Sequence, residues 1–140
     1  MSFDDYANSK IIFQNVRQDV VQPADGDGRT VDLVLWTGQA IFRNGEIASI
    51  SGLDSSEGRN GALSFRGHAI NAFDDGSTII SAYEGKTRLK PGSNQFTSEG
   101  EWKFTSGTGR FVGIQGSGTF KVAGAGDKGH SECIGKAAKA

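Results

Sequence analysis

The run from Gly107 to Phe120, GTGRFVGIQGSGTF, places five glycines in fourteen residues, a density that either wraps a phosphate or makes room inside a sheet. Nucleotide motifs need their glycines at fixed offsets between a strand end and a helix start. None fits. From Gly107 and Gly109 the third glycine of G-x-G-x-x-G falls on Val112, and from Gly116 and Gly118 it falls on Lys121; a phosphate loop would need lysine at Thr119. The segment that follows, FKVAGAGDKG, has no helical periodicity, so no helix N-terminus is at hand to hold an anion.

The remaining reactive side chains are sparse. His130-x-x-Cys133 and a distant His68 are too few ligands for zinc. The acidic stretch ADGDGRTVD offers Asp25, Asp27 and Asp32, but Arg29 stands where a calcium loop needs a ligand and the bidentate glutamate is missing, so it reads as a solvated loop. Ser117 lies in G-S-G within a strand and not in a nucleophile elbow. Cys133 has no activating partner beyond His130. No metal and no cofactor are expected.

The elements that must position any site are strands. Short alternating segments punctuated by Gly, Asn and Asp run over 10–17, 29–43, 46–53, 61–73, 77–89, 95–104, 110–122 and, weakly, 130–135, which predicts an all-β, eight-stranded antiparallel up-and-down (meander) barrel with at most a short helical turn at a terminus. Residues 1–140 form one domain, with 1–9 and 136–140 as flexible ends. A net charge of −1 from 15 basic and 16 acidic residues favours neither nucleic acid nor an anionic membrane. One cysteine and a start without a basic-then-apolar leader predict a cytoplasmic chain.

Turn chemistry assigns the faces. Asn44-Gly45 reads as a two-residue hairpin turn, which sets Arg43 against Glu46 and puts Trp36, Ala40 and Phe42 on one face with Ile47, Ser49 and Leu53. Asp74-Asp75-Gly76 reads as a three-residue turn, with Phe73 against Ser77, Ile70 against Ile80, Arg66 against Glu84 and Gly67 against Tyr83. Phe65, Ala69, Asn71, Phe73, Ile79, Ser81 and Tyr83 then face inward. So do Phe96, Ser98, Gly100, Trp102 and Phe104, and on the next strand Val112, Ile114, Gly116, Gly118, Phe120 and Val122. Gly116 and Gly118 either leave a hollow or let an aromatic ring lie on the backbone. His68 points outward beside Ala82.

The run GEWKFTSGTGRFVGIQGSGTF, with AYEG at 82–85, resembles the allene oxide cyclase and dirigent barrel superfamily, closest to its uncharacterised bacterial members, over roughly Gly76 to Phe120. The resemblance implies an eight-stranded barrel with an apolar lumen, commonly trimeric, that binds a small hydrophobic molecule and sometimes cyclises or couples it. The plant cyclase's catalytic residues have no matching positions, so the catalytic residues are not assigned.

Aromatic lining with a few polar atoms suits a small-molecule pocket. The expected ligand-binding residues are Tyr83, Asn71, Ser81, Trp36, Phe65, Phe73, Trp102, Phe104, Gly116 and Gly118. Binding of a small hydrophobic or aromatic molecule is the first expectation; an isomerase or cyclase using the same lumen, and a structural module with a filled barrel, remain alternatives. The outward pair Ile70 and Ile80, flanked by Ala72, Ala82 and Thr78, predicts a homo-oligomer, a trimer first by the resemblance.

Overall fold

The computed structural model describes residues 2–22, 26 and 28–140. Eight antiparallel strands follow one another around a closed barrel: β1 (Ser9–Val21), β2 (Arg29–Phe42), β3 (Ile47–Arg59), β4 (Ala62–Ala72), β5 (Thr78–Leu89), β6 (Gln95–Thr108), β7 (Ile114–Ala125) and β8 (Lys128–Lys139). The seam is sealed by β1 against β8, from Ser9 opposite Cys133 to Gln14 opposite Lys128. Two short 3-10 turns, Phe3–Ala7 and Gly109–Phe111, complete the fold. The expected meander barrel is the observed one. Asp25 and Asp27 lie outside the described residues, whereas Asp32 belongs to β2 and is buried, facing inward.

Two hairpin turns share one design. At Asp74–Gly76, Phe73 N–H donates to Ser77 O at 2.9 Å and Gly76 N–H to Phe73 O at 3.0 Å, and Gly76 alone takes a positive φ of 87°. Ile70 therefore faces Ile80, Arg66 faces Glu84 and Gly67 faces Tyr83, as the turn chemistry predicts. Ile70 is 48% exposed on the outer surface. At Arg43–Gly45 the same bonds recur, Phe42 N–H to Glu46 O and Gly45 N–H to Phe42 O, again with one positive φ, 87° at Gly45. The side chain two residues before the closing amide accepts from it in both turns: Asp75 Oδ1 from Ser77 N–H at 2.9 Å, Asn44 Oδ1 from Glu46 N–H at 3.0 Å.

The two-residue turn expected at Asn44-Gly45 is thus corrected to three residues. Arg43 is not opposite Glu46; Ile41 faces Ile47, Ala40 faces Ala48 and Trp36 faces Gly52. Because side chains alternate with period two, that single residue turns β3 over. Ile47, Ser49 and Leu53 point outward, and Ala48, Ile50, Gly52 and Asp54 point inward. The physical reason is the core: Ala48 and Ile50 are 2% and 3% exposed among Tyr6, Phe42 and Phe73, a packing that the other register would replace with Ser49. The two-residue turn is found instead at Asn60-Gly61, both at positive φ, with Arg59 paired to Ala62.

β3 also runs on to Arg59, past the expected end at Leu53, and β8 spans Lys128–Lys139. β7 begins at Ile114, so Val112, expected inside, sits exposed in the turn before it. Hydrogen bonds join the N-terminal turn to β8. Asp4 Oδ1 accepts from Ala137 N–H at 2.7 Å, and Asn8 bonds the Gly135 backbone on both its edges. The Phe3–Ala7 turn stoppers one end of the barrel, where the Tyr6, Phe42, Phe73 and Phe111 rings pack together.

Four glycines of the wall lie beneath aromatic rings. A Cβ built on Gly85, Gly100, Gly116 or Gly135 would come within 2.9 Å of Phe65, Phe120, Phe104 or Trp102 respectively. Removing a side chain on one strand lets a large ring from an adjacent or next-but-one strand lie flat, so eight strands curl around rings that would otherwise collide. For Gly116 the two readings resolve in favour of the covered backbone.

Candidate functional site

The stopper leaves a lumen above it. A cavity of about 280 Å³ in the lumen is lined by aromatic and aliphatic side chains with a few polar groups among them. Tyr83, Asn71, Ser81, Trp36, Phe65, Trp102 and Phe104 contribute to its wall. Phe73 does not: it stacks on Phe42, ring centroids 5.4 Å apart, within the stopper. Gly116 and Gly118 do not line it either, lying under Phe104 and against the β8 backbone.

The polar centre of the lumen is a set of three side chains from three strands. Trp36 Nε1–H points at Asp54 Oδ1 at 3.2 Å and at the Tyr83 hydroxyl oxygen at 3.0 Å, and the Tyr83 hydroxyl donates to Asp54 Oδ1. Two glycines make this possible. The Trp36 indole lies over Gly52, and a Cβ on Gly67 would stand 2.5 Å from Asp54 Oδ1 and 2.7 Å from the Tyr83 oxygen. Gly67 occupies the position between them in the sheet, opposite both Asp54 and Tyr83.

The sequence places Tyr83 beside an empty position at Gly67 but leaves its hydroxyl to Asn71 or a ligand; the structure assigns the hydroxyl to Asp54. Asp54 escaped sequence reading twice over, through the one-residue turn error and because DSSEGRN reads as loop. One signal was available: continuing the alternation of β3 through Asp54, Ser56 and Gly58 up to Asn60-Gly61, which is itself a strong hairpin turn.

Burial pushes the Asp54 carboxyl above its ordinary value of 3.8, and the hydrogen bonds from Tyr83 and Trp36 only partly oppose it. Burial and the neighbouring Asp54 charge push the Tyr83 phenol up as well, so it remains a donor. A carboxyl whose folded pKa is raised stabilises the fold most below its unfolded pKa, and that stability is lost as pH rises through the folded pKa. Asp54→Asn, which keeps an acceptor and removes the ionisation, is therefore expected to raise the melting temperature at pH 7, with roughly 3–5 °C for each kcal/mol relieved. Melting curves from pH 3 to 8 should show the gain vanish below about pH 3.8, the ordinary carboxylate value. A variant less stable than the parent at pH 7 would contradict the assignment.

Deeper and nearer the mouth are two further polar groups. Asn71, 6% exposed, and Asp32, 9% exposed, both line the lumen, and the Oδ1 of each is buried without a hydrogen-bond partner. Asp32 Oδ2 receives one long bond, from Gln18 Nε2 at 3.3 Å. Cys133 also faces inward, its thiol pushed up by burial and so held neutral. His130, by contrast, is exposed, and His68 is exposed opposite Ala82. Among the described residues no group of His, Cys, Asp and Glu could hold a metal ion. No protein-family model, curated protein or solved structure matches this chain, so the closed eight-stranded antiparallel barrel is the level at which it is placed.

Proposed function

We propose that this barrel binds a small apolar or aromatic molecule in its lumen. The observation that carries the reading is the cavity of about 280 Å³ into which two buried acceptors face without partners. A buried acceptor left unmade costs roughly 1–3 kcal/mol, which a ligand donor would recover. The volume is nearly twice that of the roughly 150 Å³ apolar cavity that takes up a benzene, so a ring with a short substituent fits. The resemblance of residues 76–120 to the allene oxide cyclase and dirigent barrels supports the same reading, since a barrel with an apolar lumen is what it implies.

One observation favours an isomerase or cyclase as the second reading. Asp54 and Tyr83 form a carboxyl–phenol pair on the lumen wall, and burial raises the Asp54 carboxyl, a setting in which a carboxylic acid can give a proton to a substrate oxygen while the phenol orients it.

The binding reading is tested with a neutral probe. The two tryptophans of the chain, Trp36 and Trp102, both line the lumen, so their fluorescence reports occupation of it. Titration with 1-naphthalenemethanol should give a saturable 1:1 change with Kd of roughly 10–100 μM, the affinity expected of about a dozen heavy atoms. No saturable change up to the solubility limit would reject the reading.

A further inference from the structure

We propose that the ligand of the lumen carries a cationic amine on its apolar or aromatic body, with the ammonium seated at Asp32. This deepens the binding reading and rests on it.

The first ground is the balance of charge. The residues lining the lumen include two carboxylates, Asp32 and Asp54, and among the described lining residues there is no lysine, arginine or histidine. A buried carboxylate without a cation or a full set of donors is costly. Asp54 has two donors, Trp36 and Tyr83. Asp32 has one, distant, and its Oδ1 has none.

The second ground is the kind of hydrogen-bonding group that is missing. Both orphaned atoms, Asp32 Oδ1 and Asn71 Oδ1, are acceptors. A carboxylate or carbonyl on the ligand would add another acceptor to a site already short of donors. An ammonium brings three donors and no acceptor, together with the positive countercharge that the Asp32 carboxylate lacks.

The third ground is the aromatic wall. The faces of aromatic rings are electron-rich and attract a cation most strongly where water is excluded. Asp32 and Trp36 are four residues apart on β2, both facing inward, which sets them roughly 13 Å apart along the strand. An ammonium at Asp32 would leave a tethered ring pointing down the lumen toward Trp36 and Phe65. A neutral alcohol gains at most a hydrogen bond at Asp32 without the ion pair, and an anionic ligand is repelled there.

Three probes of one shape test this with the full chain: 3-phenylpropan-1-amine, 3-phenylpropan-1-ol and 3-phenylpropanoate, titrated at pH 7.5 by calorimetry and tryptophan fluorescence. The amine should bind about tenfold more tightly than the alcohol, the scale of one charge-assisted hydrogen bond, and the carboxylate should show no saturable binding. In Asp32→Asn the amine-to-alcohol ratio should fall to about threefold or less. An alcohol or carboxylate that binds as tightly as the amine overturns the cationic assignment while leaving the pocket in place. Binding by none of the three, nor by the naphthalene probe, overturns both. A preference that survives intact in Asp32→Asn overturns the seat at Asp32. Should that variant fail to fold, Asp32→Glu, which keeps the charge and displaces it by one methylene, must change the ratio, and an unchanged ratio counts against the proposal.

Discussion

Tyr6→Ala is expected to lower the free energy of unfolding by about 3–5 kcal/mol, the range for deleting a fully buried aromatic ring. The ring is 2% exposed and packs edge-on against Phe111, Phe42 and Phe73, with centroids 4.7, 5.3 and 5.9 Å away. Its hydroxyl ties the stopper to the turns around it, donating to Glu46 Oε2 at 2.6 Å and accepting from Arg110 at 2.9 Å and Asn44 at 3.3 Å. Arg110 holds the Glu46 carboxyl below its usual range and also reaches Asp75 at 2.9 Å, so three hairpin turns and the N-terminal segment meet at one guanidinium. Tyr6→Phe keeps the ring and loses only the hydroxyl bonds, at a cost of about 1–2 kcal/mol. Urea unfolding of both variants checks the pair. An alanine variant costing less than the phenylalanine one would show that the ring does not stopper the barrel.

Gly118→Ala is expected to cost about 2–4 kcal/mol, at or above the upper end of overpacking. The added methyl would collide with the Ile134 carbonyl oxygen and stand 2.7 Å from Gly135 Cα, both backbone atoms of the paired strand β8. Backbone in a ladder cannot step aside without breaking its hydrogen bonds. Gly116→Ala is the comparison, because one of its three nearest neighbours, the Phe104 ring at 2.8 Å, is a side chain with some freedom to shift, whereas Ala137 Cβ and the Lys136 carbonyl oxygen, also at 2.8 Å, are fixed by the backbone. Its cost should be about 1–3 kcal/mol, below that of Gly118→Ala. Equal losses in the two variants, measured by thermal or urea unfolding, would reject the distinction between backbone and side-chain contact.

The sequence by itself determined the architecture and most of the inner face. Alternation along each segment is enforced by the pleat, and Asp74-Asp75-Gly76 sets its own register because glycine alone can supply the one left-handed residue the turn requires. Phe65, Asn71, Ser81, Tyr83, Trp102 and Phe104 were legible as inward for that reason. Asn44-Gly45 was not, because the dipeptide fits a two-residue turn and a three-residue turn equally well, and the choice between them is made by Ala48 and Ile50 packing in one cluster with Tyr6, more than forty residues back along the chain, and Phe73, more than twenty ahead. Asp54 entered the lumen on that choice. Asp32 shares the face of Trp36 by alternation, four residues away on β2, but that it is buried there with an unpartnered oxygen is decided by closure of the barrel. The stopper and the hollow above it likewise depend on where eight strands meet, a property of the closed sheet as a whole: a local pattern states which way a side chain points, while whether it meets a ring, a carboxylate or empty space is decided by residues distant along the chain.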